Sequence, residues 1–97
     1  MIPLYFHAEA KEEASAAVTY YETQQAGLGK RFIDVLADTL HRIQTNPRLF
    51  PIVEGNIRKC RIIRFPYGII YRCRRNKIEI LAVMHLHRKP GYWKSRI

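Results

Sequence analysis

Two groups of side chains in this chain have the types and spacing to do chemistry. His85-Leu86-His87-Arg88-Lys89-Pro90-Gly91-Tyr92-Trp93-Lys94-Ser95-Arg96 concentrates imidazole, guanidinium, phenol and indole in one segment. His85 or His87 could act as a general acid or base and Arg88 could bind an anion. Tyr92 and Trp93 offer faces on which an unpaired base could stack. The second group is the row Arg58, Lys59, Arg61 and Arg64, whose planar guanidinium forks and ammonium suit phosphate or carboxylate. Each group also has a packing interpretation. Trp93 and Tyr92 could fold back to close a core, His85 could be a hydrogen-bonded packing histidine, and Arg88 could pair with Glu54 or Glu79. The strand cations could simply keep an edge solvated. The residue types favour packing for Trp93 and His85, and anion contact for the strand row.

Charge distribution strengthens the anion-binding interpretation. Residues 1–56 hold five Lys/Arg and seven acids, whereas residues 57–97 hold twelve Lys/Arg against Glu79 alone, and the chain as a whole carries +9. Solubility does not require such segregation, so an acidic partner is expected: nucleic acid, an acidic protein segment or an anionic surface. Other classes fall away. There is no Walker loop, no GxGxxG, no HExxH and no GxSxG, and paired carboxylates are absent from the basic region. Cys60 and Cys73 form no CxxC and with four histidines are too few for a zinc site, so both are read as reduced and no metal or cofactor is expected. Metal-free RNA cleavage by His, Arg, Lys and Tyr remains open.

The elements that position these residues follow from periodicity. With 47% hydrophobic and 26% charged residues the 97-residue chain is globular, and its length predicts a single domain over 1–97 with one core. Ile2 to His7 reads as a first strand. Ala10, Ala14, Ala17, Val18 and Tyr21 mark a first helix over 8–25, with Glu9, Glu12 and Glu13 at its electropositive start. Gly27 and Gly29 reverse the chain. Phe32, Val35, Leu36, Thr39, Leu40 and Ile43 then form the stripe of a second helix, ended by Asn46-Pro47. A loop over 46–56 is expected to pack Leu49, Phe50, Ile52 and Val53 on the core. Strands follow at 57–64, 69–74 and 78–87, with turns at Phe65-Pro66-Tyr67-Gly68 and Arg75-Asn76-Lys77. The expected class is α+β, a meander with the first strand at an edge and a helical hairpin on one face. No apolar run approaches the ~20 residues that cross a bilayer, and MIPLYFHAEAKEEA turns acidic too early for a secretory leader, so a cytoplasmic protein is expected.

Taken together, several stretches resemble the RelE/ParE superfamily of toxins from type II toxin-antitoxin modules. They are ASAAVTYYE (14–22), Gly27-Leu28-Gly29 with Phe32, Ile43 with Asn46-Pro47, Ile57-Arg58, Arg64-Phe65-Pro66-Tyr67 through Tyr71, and His85, Arg88, Pro90, Tyr92-Trp93 and Arg96. The resemblance implies a β-α-α-β-β-β fold with a twisted antiparallel sheet. It is closest to the ParE-like branch, the plasmid stabilisation proteins, whose better-known members poison DNA gyrase. RelE-like relatives instead cleave messenger RNA on the ribosome, and on that alternative Lys59, Arg61, Arg64, His85, Arg88 and Tyr92 would be the catalytic candidates. The RNA-cleaving relatives commonly carry an arginine after the tyrosine that opens the third strand; this chain has Gly68 after Tyr67. The resemblance also implies a cognate antitoxin with an acidic, amphipathic C-terminal segment, joined with the toxin in a hetero-oligomer. Arg58, Arg61, Arg64, Arg88, Tyr92 and Trp93 are the partner-binding candidates.

Overall fold

The computed structural model describes all of residues 1–97, and its elements begin and end where local chemistry changes. After β1 (Leu4–Phe6), His7 takes an extended backbone and its Nδ1 accepts the Glu9 amide at 3.2 Å, capping α1 (Ala8–Gln24). α2 (Leu28–Thr45) starts at Gly27, whose φ of 88° is left-handed and which has no side chain to cap with. Glu22 does that work from the end of α1, its carboxylate accepting the Gly27 and Gly29 amides at 3.0 Å each. Gly29 is also where the two helices touch, since a Cβ there would stand 2.8 Å from the Val18 carbonyl oxygen. Asn46 closes α2 ahead of Pro47, as its sequence predicts.

Three antiparallel strands follow a short fourth one: β2 (Ile52–Glu54), β3 (Ile57–Ile62), β4 (Tyr67–Arg74) and β5 (Lys77–His85), with a closing 3-10 turn at Tyr92–Arg96. The sheet order is β1-β5-β4-β3-β2. β1 lies at an edge as expected, but it runs parallel to β5, so the sheet is mixed rather than wholly antiparallel. β2 is a fifth strand inside the segment read as a loop. Its residues are exposed, and Leu49, Ile52 and Val53 stay in solvent; only Phe50 packs inward. The loop is fixed by its carbonyls instead. The buried Tyr71 hydroxyl donates to Pro47 at 2.6 Å, and Arg58 Nη1 donates to Phe50 at 2.7 Å and to Arg48 at 3.1 Å. Tyr67 and Gly68 belong to β4, so the turn is Ile63–Pro66, with Arg64 left-handed at φ 70°. Arg75 and Asn76, both at positive φ, form the next tight hairpin. The last strand ends at His85, two residues earlier than its alternation suggests.

Alternation divides the sheet into two packed faces. The helices cover one, where Phe32, Leu36 and Ile43 meet Cys60, Ile62, Ile69, Tyr71, Ile80 and Val83. On the other face Trp93 closes a smaller cluster over Ile57, Ile70, Leu81, Ala82 and Met84. The step from Ile70↔Ala82 to Tyr71↔Ile80 leaves Leu81 without a partner on β4. This bulge puts the neighbours Leu81 and Ala82 into the same cluster.

Candidate partner-binding site

Three of the C-terminal cations, Arg88, Lys94 and Arg96, are already engaged within the chain, and one carboxylate, Glu13, organises two of them. β1 stops at Phe6↔Ile80, so the distal half of β5 has no strand beside it. Side chains complete the ladder there. Glu13 Oε1 accepts the Val83 amide at 3.0 Å, and Arg96 Nη1 donates to the Leu81 carbonyl at 3.0 Å. The same Glu13 carboxylate accepts from Arg96 Nη1 at 2.9 Å and Nη2 at 3.0 Å, from the Tyr92 hydroxyl at 2.6 Å and from Arg88 Nη1 at 3.3 Å. Arg96 Nε also stands 2.8 Å from Glu9 Oε2, an ion pair without the angle of a hydrogen bond. The Arg88 guanidinium lies 3.9 Å from the centre of the Tyr92 ring, and Lys94 pairs with Glu54 at 2.9 Å.

The electrostatics of this cluster oppose use of Tyr92 as a base. Burial alone would raise the Glu13 pKa, but the bonds from Arg96, Tyr92 and the Val83 amide outweigh it and hold the carboxyl below its ordinary value. Burial pushes the Tyr92 phenol up, and its bond to the Glu13 carboxylate pushes it further, so it stays protonated at neutral pH. Trp93 is buried, which leaves its indole no free face on which a base could stack. Arg88 has a carboxylate partner, and it is Glu13 rather than Glu54 or Glu79.

The strand row is split by the same alternation that builds the sheet. Arg58 faces the helix side and is satisfied by the Arg48 and Phe50 carbonyls, so it is a loop anchor and not a surface cation. Lys59 and Arg61 face the other way, opposite Ile70 and Gly68. The absent side chain of Gly68 gives the Lys59 stem its place, for a Cβ there would stand 3.0 Å from Lys59 Cε. Lys59, Arg88 and Lys94 share the rim of a cavity of about 280 Å3 floored by Ile70, Met84 and Trp93. Arg64, in the turn, lines a separate groove of about 500 Å3 with Arg31, Leu28, Val35 and Ile63. None of Lys59, Arg61 and Arg64 forms an ion pair, whereas at the far hairpin Arg72 and Arg74 grip Glu79 at 2.7 and 2.8 Å.

His85 is placed apart from these cations. Its ring lies 5.1 Å from that of Tyr67 on the helix side, and its Nδ1 accepts the His87 amide at 3.1 Å. The six catalytic candidates are therefore not assembled around one point. Three contributors had no mark in the sequence. Glu13 looked like one of three acids favouring a helix start, because its partners lie seventy or more positions away. Arg31 and Ile63 join Arg64 only through the packing of α2 against the β3 end.

A helical hairpin on one face of a small mixed sheet, with a basic strand and a folded-back tail on the other, defines the RelE/ParE-like toxin class. A family model described as the ParE toxin of the type II toxin-antitoxin system, parDE, matches residues 4–90, and the chain belongs to that family. No curated protein matches its sequence. Among solved structures it is similar to a chain described as the chromosomal ParDE TA system from P. aeruginosa. The TM-score is 0.65 at 15% identity, covering 90% of this chain and 98% of that one, a likeness of fold. No helix is long and apolar enough to cross a membrane.

Proposed function

We propose that this chain inhibits growth in the cytoplasm by binding a large macromolecular target, with DNA gyrase the leading candidate. A cognate antitoxin neutralises it through an acidic, amphipathic C-terminal segment. The observation that carries this reading is the division of the basic groups. Lys59, Arg61 and Arg64 form no ion pair, while His85 lies on the face opposite Lys59 and Arg61, and the Tyr92 hydroxyl is committed to the Glu13 carboxylate. That arrangement supports binding over RNA cleavage, which needs a base, a proton donor and a phosphate-binding group around one phosphodiester. Gly68, in place of the arginine common in RNA-cleaving relatives, weighs the same way.

Expression of the chain without an antitoxin tests the reading. Gyrase poisoning predicts trapped cleavage complexes and an induced DNA-damage response. Cut messenger RNA with stalled translation would replace it with a RelE-like endoribonuclease. Unimpaired growth would mark a chain retained only as an antitoxin-binding module.

A further inference from the structure

We propose that the hollow between the β4–β5 hairpin and the loop after α2 is a phosphate-binding site, and that it takes a backbone phosphate of nucleic acid. It lies at the end of the sheet remote from Arg61 and Arg64, because β4 starts beside them and ends at Arg74. The site is therefore independent of where an antitoxin docks.

The charged lining is of one sign. A cavity of about 180 Å3 is bordered by Arg48 from the loop and by Arg74, Arg75 and Lys77 from the hairpin, and no carboxylate lines it. Glu79, the one acid of the hairpin strands, is already shared by Arg72 and Arg74. Arg48, Arg75 and Lys77 form no ion pair. Burial pushes the pKa of the Cys73 thiol in this hollow up, and the Arg48 charge pulls the other way.

These cations are positioned by the chain itself. The Pro47 carbonyl accepts the Tyr71 hydroxyl at 2.6 Å and the Arg48 carbonyl accepts Arg58 Nη1 at 3.1 Å, which fixes the backbone that carries Arg48. Glu79 grips Arg74 through Nε and Nη2 and leaves Nη1 without a partner. Lys77 Nζ rests 5.0 Å from the centre of the Tyr5 ring. Like charges held around a hollow repel one another, and an oxyanion with several acceptor oxygens relieves that repulsion.

The surroundings select what carries the phosphate. No aromatic side chain borders the hollow, so nothing there would stack a base and hold a free nucleotide. No histidine borders it, so it holds a phosphate without a group to cleave its ester. Arg48 and Arg75 are exposed, which leaves room for a polymer to enter and leave. A second hollow, of about 350 Å3, lies against the same loop at Asn46 and Leu49 and offers Arg42, again with no carboxylate. Successive cations along one loop match successive charges of a phosphodiester backbone, which binds through charge and not sequence.

The test titrates the full 15N-labelled chain with a short DNA duplex of arbitrary sequence, with inorganic phosphate and with polyglutamate, at matched ionic strength. The duplex should shift the Arg48, Arg75, Asn76 and Lys77 amides, and inorganic phosphate should shift the same amides weakly. Arg48→Glu with Arg75→Glu should weaken duplex binding by about tenfold or more and make its logarithmic salt dependence shallower by about two, one for each lost contact. Both residues are exposed, so the fold should survive, which the spectrum reports. Lys11→Glu with Lys89→Glu, at exposed positions outside the hollow, changes the net charge equally and should weaken binding far less. Equal losses in the two variants would overturn the proposal, since net charge alone would then account for binding. So would duplex shifts centred on Lys59, Arg61 and Arg64, phosphate binding without duplex binding, or polyglutamate shifting the hairpin amides as strongly as the duplex.

Discussion

The sheet has two places where an outer strand stops short of its neighbour, and the chain treats them in opposite ways. Beside β5, past the end of β1, Glu13 and Arg96 act as a substitute strand: one takes the Val83 amide and the other donates to the Leu81 carbonyl. Beside β3, ahead of β2, no strand stands opposite Arg61, whose carbonyl accepts only the Cys60 thiol at 3.8 Å. The first gap is closed by a part-buried ion pair with Tyr92 and Arg88 drawn into it, the second is rimmed by cations without partners. The charge surplus of the second half of the chain thus resolves by location. The tail cations Arg88, Lys94 and Arg96 meet front-half carboxylates, at Glu9, Glu13 and Glu54. Lys59, Arg61 and Arg64 have no such carboxylate within the chain.

The largest expected effect lies at the closed gap. Glu13→Ala would leave Arg96, whose side chain is 7% exposed, without its main counter-charge, and would strip the Val83 amide of its acceptor. Removing one partner of such a buried pair costs about 3–5 kcal/mol, which urea denaturation would read directly. A loss under 1 kcal/mol would mean that water replaces the carboxylate and that this edge is no more closed than the other. The same group sets a pH dependence. Because the folded carboxyl pKa is lowered, its stabilisation is fully present above the unfolded value and drains away as pH falls through the lowered one. Glu13→Gln should therefore flatten the acid limb of the stability curve. Glu79, also held below its ordinary value against burial by Arg74 and Arg72, keeps a residual slope of the same sign.

A second, smaller effect compares the gaps without mutation. In the unbound chain the Val83 amide should exchange slowly and the Arg61 amide fast, by a ratio on the order of a hundred or more, as expected between a core-bonded amide and an open edge. Equal rates would erase the distinction between the two edges.

How much of this was legible in the sequence depended on how local each cause is. The stripe of α2 and its stop at Asn46-Pro47 need only neighbouring residues, and Phe32, Leu36, Thr39 and Ile43 are buried as their spacing requires. The packing preference of Trp93 was also readable from its type. β2 was not, because Ile52–Glu54 is three residues between a proline and a glycine, exposed throughout and without alternation. The separation of Arg58 from Lys59 and Arg61 is simple strand parity, but its consequence depends on carbonyls of the preceding loop that happen to reach it. Glu13 was least legible: an acid in the first half of a helix is ordinary, and only the tertiary fold brings Arg96 and Tyr92 to it.

The smallest effect on stability, and the sharpest on function, belongs to the open gap. Arg61 is exposed and makes no ion pair, so Arg61→Ala should change unfolding free energy by no more than about 0.5 kcal/mol. If its charge steers an acidic partner, association should slow and the dependence of the rate on ionic strength should become shallower, while dissociation changes little. Stopped-flow mixing with an acidic partner segment at two salt concentrations separates these terms. An association rate indifferent both to salt and to Arg61→Ala would assign the unpaired cations of β3 to keeping a bare edge solvated, and the two gaps would then differ in structure without differing in use.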